Sequence, residues 1–456
     1  MSFAKKFENV FRSLLPSPFS IAILLTLLTF VLALIYTDNQ NPENYHVLNL
    51  LSSWENGIWN NALLVFAFQM MLMLVLGHTL ALSNSVNSLI SKITRFCSST
   101  ANAAAIISFF TIIVSLFNWG LGLIFGAIFA RKVAENASNK KINLNYPLIG
   151  AAGYSGLMVW HGGLSGSAPI KVAEKNHLIE MFEGSDFDVP STINLSETIF
   201  SQMNIFVSIL LLIVIPTFLF YLGKNNTGKK IHIISQETKK EKRKYIGAEK
   251  IDHSKLLSKI ISISILGYCF YKSILLPEVP SLNVITPNFI NLILLGLGIF
   301  FHSSFSQFTI AITGSIKGAS GILIQFPLYF GIMGIMKDSG IVSSLSDFFV
   351  SISNETTFPI FTFISAGIVN IFVPSGGGQW AIQGPIIIEA ANQIGCSFSK
   401  SIMALAYGDQ LTNMLQPFWA LPLLGITGLK AKEILPYTLY LFLIGCLIFV
   451  GGLLLF

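Results

Sequence analysis

Residues 101–130 read ANAAAIISFFTIIVSLFNWGLGLIFGAIFA, without a formal charge, and Arg131, Lys132, Lys140 and Lys141 follow at once. Lys92 and Arg95 precede the run. So long an uncharged stretch belongs in lipid, and Lys and Arg collect on the cytoplasmic side of a membrane protein. Basic flanks at both ends mean that the chain enters and leaves on one side. The run is long enough for two helices of about 20 Å each. It is predicted to be a re-entrant hairpin over 101–130, with its tip at Asn118-Trp119-Gly120-Leu121-Gly122.

The rest of the chain agrees with a membrane setting. Of 456 residues, 53% are hydrophobic and 11% charged, against about 25% charged in soluble domains. Phe19 to Tyr36 and Gln202 to Gly223 are apolar enough to span a bilayer. Lys5, Lys6 and Arg12 precede the first run, which is too long for a signal peptide and lacks a small-residue cleavage site, so it is expected to stay as an anchor. Cys97, Cys269, Cys396 and Cys446 lie far apart and suggest neither a disulfide framework nor a metal cluster. The net charge of +6 is chiefly a topology signal. No stretch resembles a nucleic-acid-binding arm, and the basic run 224–255 is expected to be a cytoplasmic connector able to touch anionic lipid.

With the N-terminus cytoplasmic, the charges place each later segment. Residues 38–61 carry acids but no Lys or Arg and fit the outside; Ala62 to Leu82 returns the chain to Lys92 and Arg95. After the hairpin, a crossing over 147–170 is interrupted at His161-Gly162-Gly163-Leu164-Ser165-Gly166-Ser167 and meets the acidic segment 171–197. One further helix reaches 223. The basic connector and a linking helix, with its acidic turn at Glu278, occupy 224–284, and helices near 285–301 and 318–336 follow. The uncharged run from Phe358 to Ile388, flanked by Asp347, Glu355 and Glu389, predicts a second hairpin over 358–391, entering from outside, with its tip at Pro374-Ser375-Gly376-Gly377-Gly378-Gln379-Trp380. A second broken crossing over 401–428 meets Lys430 and Lys432, and a last helix ends outside.

The halves also match residue against residue. Gln69 parallels Gln325 at an offset of 256, Asn118 parallels Asn370 at 252, and Tyr154 and Pro169 parallel Tyr407 and Pro422 at 253. Each unit crosses four times and the linking helix adds an odd crossing, so the units 1–223 and 285–456 are opposed. The predicted fold is an all-α polytopic membrane protein of two inverted-topology repeats, each with a re-entrant helical hairpin and a broken transmembrane helix. Such folds hold substrate and coupling ion near the midplane, where non-helical backbone lines a cavity.

The tips and breaks hold Trp119, Trp160, Trp380 and Trp419, which suit either helix packing or the wall of a cavity for a short apolar tail. Asp409 is the one carboxylate expected deep in a crossing, where a charge costs about 2.5–3.5 kcal/mol. A transported proton or a Na⁺ near Asn118, Asn370 and Asp409 would offset that; so would a structural network of Gln410, Asn413 and Gln416. His161 is a second proton carrier or a plain hydrogen-bonding residue. No Lys or Arg falls in these elements, which favours a singly charged substrate. Its carboxylate would be held by half-helix N-termini, by the amides of Gly162, Gly163, Gly376, Gly377 and Gly378, and by Asn118, Ser165, Ser167, Asn370 and Ser375, with Gly120, Gly166, Gln379 and Asn413 beside them. No cofactor is expected beyond the coupling ion, H⁺ or Na⁺. An intramembrane hydrolase using Ser165 is the alternative from another class, although Gly-Leu-Ser-Gly-Ser fails the GxSxG pattern at its last position.

Val373-Pro374-Ser375-Gly376-Gly377-Gly378-Gln379-Trp380-Ala381-Ile382-Gln383-Gly384-Pro385, Ala406-Tyr407-Gly408-Asp409-Gln410 and Gln416-Pro417-Phe418-Trp419-Ala420-Leu421-Pro422 resemble the bacterial short-chain fatty acid transporter family. Phe117-Asn118-Trp119-Gly120, Leu164-Ser165-Gly166-Ser167 and Ile324-Gln325-Phe326-Pro327 extend the likeness over nearly the whole chain. The resemblance implies inner-membrane uptake of monocarboxylates such as butyrate or acetoacetate, driven by a cation gradient. It also implies a relative of the ion transporter superfamily, a homodimer with a scaffold part and an elevator-like transport part. A dicarboxylate or amino-acid carrier or exchanger of that superfamily is the alternative within transport. The family pattern carries Gly where this chain has His161 and His where it has Gln379.

Overall fold

The computed structural model describes residues 17–39, 44–182, 189–225, 228–230, 246–276 and 286–456. The N-terminal basic residues, the acids from Glu183 to Asp188, most of the basic connector and Glu278 lie outside the described residues.

Helices follow in chain order: α1 Pro18–Tyr36, α2 His46–Ile58, α3 Asn61–Ala81, α4 Asn84–Ile93, α5 Thr100–Phe117, α6 Trp119–Asn139, α7 Tyr146–Tyr154, α8 Ser167–Lys171 and α9 Gln202–Asn225. The later helices are α10 Lys255–Phe270, α11 Pro287–His302, α12 Phe305–Ser315, α13 Ser320–Asp338, α14 Ile341–Ser351, α15 Phe358–Phe372, α16 Gly376–Ile394, α17 Phe398–Thr412, α18 Pro417–Thr427 and α19 Ala431–Leu455. Among the described residues, β structure is limited to a two-residue antiparallel bridge pairing Asn143 with Lys230 and Leu144 with Lys229.

Among the described residues, six helices are long and apolar enough to cross a bilayer: Phe19–Tyr36, Leu63–Leu80, Thr100–Phe117, Gln202–Asn225, Ser320–Asp338 and Ala431–Leu455. The chain is an all-α polytopic membrane protein. Polar caps start these helices where the sequence allows. Ser99 Oγ accepts from the amide of Asn102 ahead of α5, and Asn145 Oδ1 from that of Leu148 at α7. These bonds satisfy amides that a helix start leaves open.

The helix ends differ from expectation in two places. The arm after Asn118 runs on to Asn139, past the expected end at 130, because Arg131 and Lys132 both pair with Glu135, at 3.0 and 2.8 Å, and stay helical. Residues 46–58, read only as part of an outer segment, form α2. That helix packs on α13, where Gly57 faces the backbone of Phe330 and Gly331. Its mean apolarity is too low to stand out as a span; its periodicity is the signal that mattered.

Two packed groups emerge. In one, α13 lies against α1, α2 and α3, and α11 against α3 and α10. In the other, α5 packs on α6, α7 and α9, α15 on α17, and α19 on α7, α9 and α17. Every residue from Ser401 to Thr412 in α17 is buried, so that helix is the centre of the second group.

Candidate functional site

Two adjacent helices meet at Asn118, which is at once the end of α5 and the start of α6. Its amide donates to Val114 O, and its Oδ1 accepts from the amide of Leu121 at 3.0 Å. The turn is one residue long, so Trp119 and Gly120 already belong to the first helical turn of α6. Ser165 reaches this tip: its Oγ accepts from the amide of Trp119 at 2.9 Å, and the amide of Leu164 donates to Leu116 O at 2.8 Å. A side chain at Gly163 would collide with that same carbonyl of Leu116. The interrupted segment between α7 and α8 therefore lies directly on the first tip.

A second tip, Val373-Pro374-Ser375, joins α15 to α16. Ser375 Oγ accepts from the amide of Gly378 at 3.2 Å, so Gly376, Gly377 and Gly378 form the first turn of a helix. A Cβ on Gly376 would lie 2.7 Å from the Trp160 ring, 2.9 Å from Cε1 of His161 and 3.0 Å from Oγ of Ser167. The second tip thus meets the break of the first half.

The break between α17 and α18 is held by amide side chains. Nδ2 of Asn370 donates to Asp409 O at 2.7 Å and to Oγ1 of Thr412 and Oδ1 of Asn413 at 2.9 Å each. Gln416 Nε2 donates to Asn370 O at 2.7 Å, and the Tyr154 hydroxyl donates to Asn413 O at 2.9 Å. Gln410 Oε1 accepts from the amides of His161 at 2.8 Å and Gly162 at 3.3 Å. These bonds tie the second broken helix to the first.

Asp409 is 1% exposed and His161 0%. Nδ1 of the imidazole stands 3.5 Å from Asp409 Oδ2, while Nε2 accepts from the amide of Ala168 at 3.1 Å. Neither carboxylate oxygen of Asp409 receives a hydrogen bond from the described residues. A buried carboxylate left in that state is costly unless a proton or a cation joins it.

Aromatic rings cluster beside this pair. Trp119 lies 5.1 Å from Trp419 and 6.0 Å from Trp160 between ring centroids, and Trp160 stacks on His161 at 4.4 Å. Phe66 of α3 touches both Trp119 and Trp419, and Phe418 stacks on Phe326 of α13 at 4.1 Å. The two packed groups meet on these rings.

Of the residues expected at the site, Trp119, Gly120, Gly163, Ser165, Gly166, Ser167, Asn370, Ser375, Gly376, Gly377, Gly378, Asp409, Asn413, Trp419 and His161 lie on this linked set of tips and breaks. The side chains of three others are engaged elsewhere. Trp380 is buried in a separate apolar cluster, its Nε1 donating to Nε2 of His177 at 3.0 Å. Gln379 points into the α15–α16 contact, donating to Ala366 O at 2.8 Å and to Gln383 at 2.7 Å. The side chain of Asn118 is spent on capping α6, whereas Asn370 sits at Asp409.

Tyr154, Asn204 and Tyr407 were not expected at the site. The hydroxyl of Tyr407 donates to Oδ1 of Asn204 at 3.0 Å, and Nδ2 of Asn204 donates to Gly162 O at 2.8 Å. The two tyrosines were legible as a matched pair across the repeat, whereas Asn204, two residues after Gln202 at the start of an apolar span, had no signal to set it apart. Among the described residues no group of three or more His, Cys, Asp or Glu could hold a metal ion.

Residues 3–456 match the family model described as short chain fatty acid transporter. A protein of Escherichia coli (strain K12), whose name assigns it to short-chain fatty acid transport, is 37% identical over 452 residues, covering 97% of this chain and 96% of its own. A protein of Haemophilus influenzae (strain ATCC 51907 / DSM 11121 / KW20 / Rd) with the same name is 36% identical over 464 residues, covering 99% of each. With a family match over almost the whole chain and relatives this similar at full length, the protein is a membrane transporter, not an enzyme, and belongs to the short-chain fatty acid transporter family.

Proposed function

We propose that the protein imports short monocarboxylates of the butyrate and acetoacetate type across the bacterial inner membrane by cation-coupled symport with alternating access. The observation that carries this reading is the buried Asp409 carboxylate beside His161, at the point where both helix breaks and the second tip converge. A site that must take up a cation to be stable, placed next to half-helix N-termini, can couple the two. The tail of the acid packs on Trp119, Trp160 and Trp419; its carboxylate is held by Ser167, Ser375 and the amides of Gly376 and Gly377.

The two halves act as inverted repeats whose hairpins enter from opposite faces, with the N-terminus cytoplasmic. The protein works as a homodimer, and the group centred on α17 moves against the group centred on α13 across the ring contacts of Phe326 with Phe418 and Phe66 with Trp419.

Uptake of labelled butyrate into liposomes holding the purified protein, with a pH gradient and a Na⁺ gradient imposed separately, tests the reading. Accumulation under one gradient supports monocarboxylate symport. No protein-dependent uptake under either, in folded protein, points to dicarboxylates or exchange.

A further inference from the structure

On that transport reading, we infer that the coupling ion is a proton held by the His161–Asp409 pair, and that the loop 163–167 reads its presence through the Ala168 amide.

The hydrogen bonds fix the state of the imidazole. Nε2 accepts from the Ala168 amide at 3.1 Å and so carries no proton; the ring proton is on Nδ1, facing Asp409 Oδ2 at 3.5 Å. A second proton has one place on the ring, Nε2. There it turns an acceptor into a donor that opposes the Ala168 amide, so this bond must break when imidazolium forms. One proton is gained from one side of the membrane and lost to the other, with no electron transferred and no other covalent bond changed.

Charge favours the exchange. Without the extra proton, the pair carries one negative charge in a site at most 1% exposed; with it, imidazolium and carboxylate neutralise each other. The imidazole is a proton site by its own chemistry, and its Nδ1 stands 3.5 Å from the carboxylate. Among the described residues, no other ionisable side chain faces the ring. Of the elements packed on the Trp160–Gly162 turn, α5 and the Ser155–Met158 turn carry none. Lys171 of α8 is surface-exposed and paired with Glu174 at 2.8 Å, Lys400 is at the start of α17, and the hydroxyl of Tyr407 is given to Asn204.

The loop is placed to pass the change on. Between His161 and Ala168 it holds Ser165, bound to the amide of Trp119, and Ser167, beside Gly376. Releasing Ala168 therefore loosens the contacts of both tips, and tip closure on substrate favours one protonation state over the other. Reciprocal coupling of proton and substrate follows.

The test uses the purified protein in liposomes and the variant His161→Gln, whose side-chain oxygen still accepts a hydrogen bond but takes no proton. We expect the parent to accumulate labelled butyrate under a pH gradient alone, and the variant to accumulate it about tenfold less, with butyrate binding that no longer changes with pH. A variant that keeps the parent's pH profile overturns the inference. So does parent uptake driven by Na⁺ alone, which leaves the transport reading standing; absence of any protein-dependent butyrate movement overturns both. Should the variant fail to fold, butyrate is added to lightly buffered parent protein and the pH is followed. Proton uptake or release that depends on the starting pH supports the inference, and none at any pH overturns it.

Discussion

The imidazole of His161, in the break of the first half, faces the carboxylate of Asp409, in the broken helix of the second, with Nδ1 3.5 Å from Oδ2. Residues 248 positions apart thus share one buried site. Neither half can assemble it alone.

Asp409→Asn removes the charge and keeps the shape. Gradient-driven accumulation of butyrate should be lost, falling by roughly 100-fold or more, about 2.7 kcal/mol of coupling. Binding of the acid to the purified variant should persist. Accumulation equal to the parent's would remove Asp409 from coupling.

Trp419 and Trp380 should separate cleanly. Trp419→Ala takes away a ring in contact with Trp119 and Phe66, and aromatic pairs contribute about 0.5–1.5 kcal/mol beyond area. The apparent KM for butyrate should rise severalfold. Trp380→Phe loses the bond to His177 and part of a buried ring remote from Asp409, so its thermal midpoint should fall while KM holds. The reverse pattern in initial-rate uptake would place the tail near Trp380.

Gly376→Ala tests the meeting of the second tip with the first break. The added methyl comes within 2.7 Å of Trp160 and 2.9 Å of His161, and overpacking of this kind costs about 1–3 kcal/mol. Transport should drop by about tenfold or more. Gly395→Ala is a contrast of another kind, because φ is +85° there and strain acts on the helix end, remote from the site. That variant should lose thermal stability first, as followed by a melting assay.

Asn370→Ala strips one amide from three acceptors and leaves Thr412, Asn413 and the Asp409 carbonyl short of a buried donor. A loss of about 1–3 kcal/mol is expected, read as a lower thermal midpoint in detergent. Asn118→Ala instead removes a helix cap, at about 1 kcal/mol. A larger loss at Asn118 than at Asn370 would reverse this ranking.

Long uncharged runs, Lys and Arg placement and matched residues at near-constant offsets were enough to read a polytopic helical membrane chain and to expect tips at 118–122 and 374–380, where helix in fact already runs from Trp119 and from Gly376. Those features are local, since a helix that breaks beside Gly or Pro, or a cap that takes an open amide, depends on residues within a turn or two. The signature runs around Ser375 and Asp409 pointed to the family for the same reason. Which tip residues turn inward was not local. Trp380 and Gln379 sit beside Gly378 in sequence, yet the helical phase of α16 sends one to His177 and the other to Gln383. Asn204 and Tyr154 enter because a buried carbonyl at Gly162 and another at Asn413 need donors, and only the packing of distant helices on one another decides which side chains are near enough to supply them. The sequence by itself determined where the backbone opens inside the membrane; the tertiary structure decided what fills each opening, because a buried polar group takes its partner from whatever helix is packed against it.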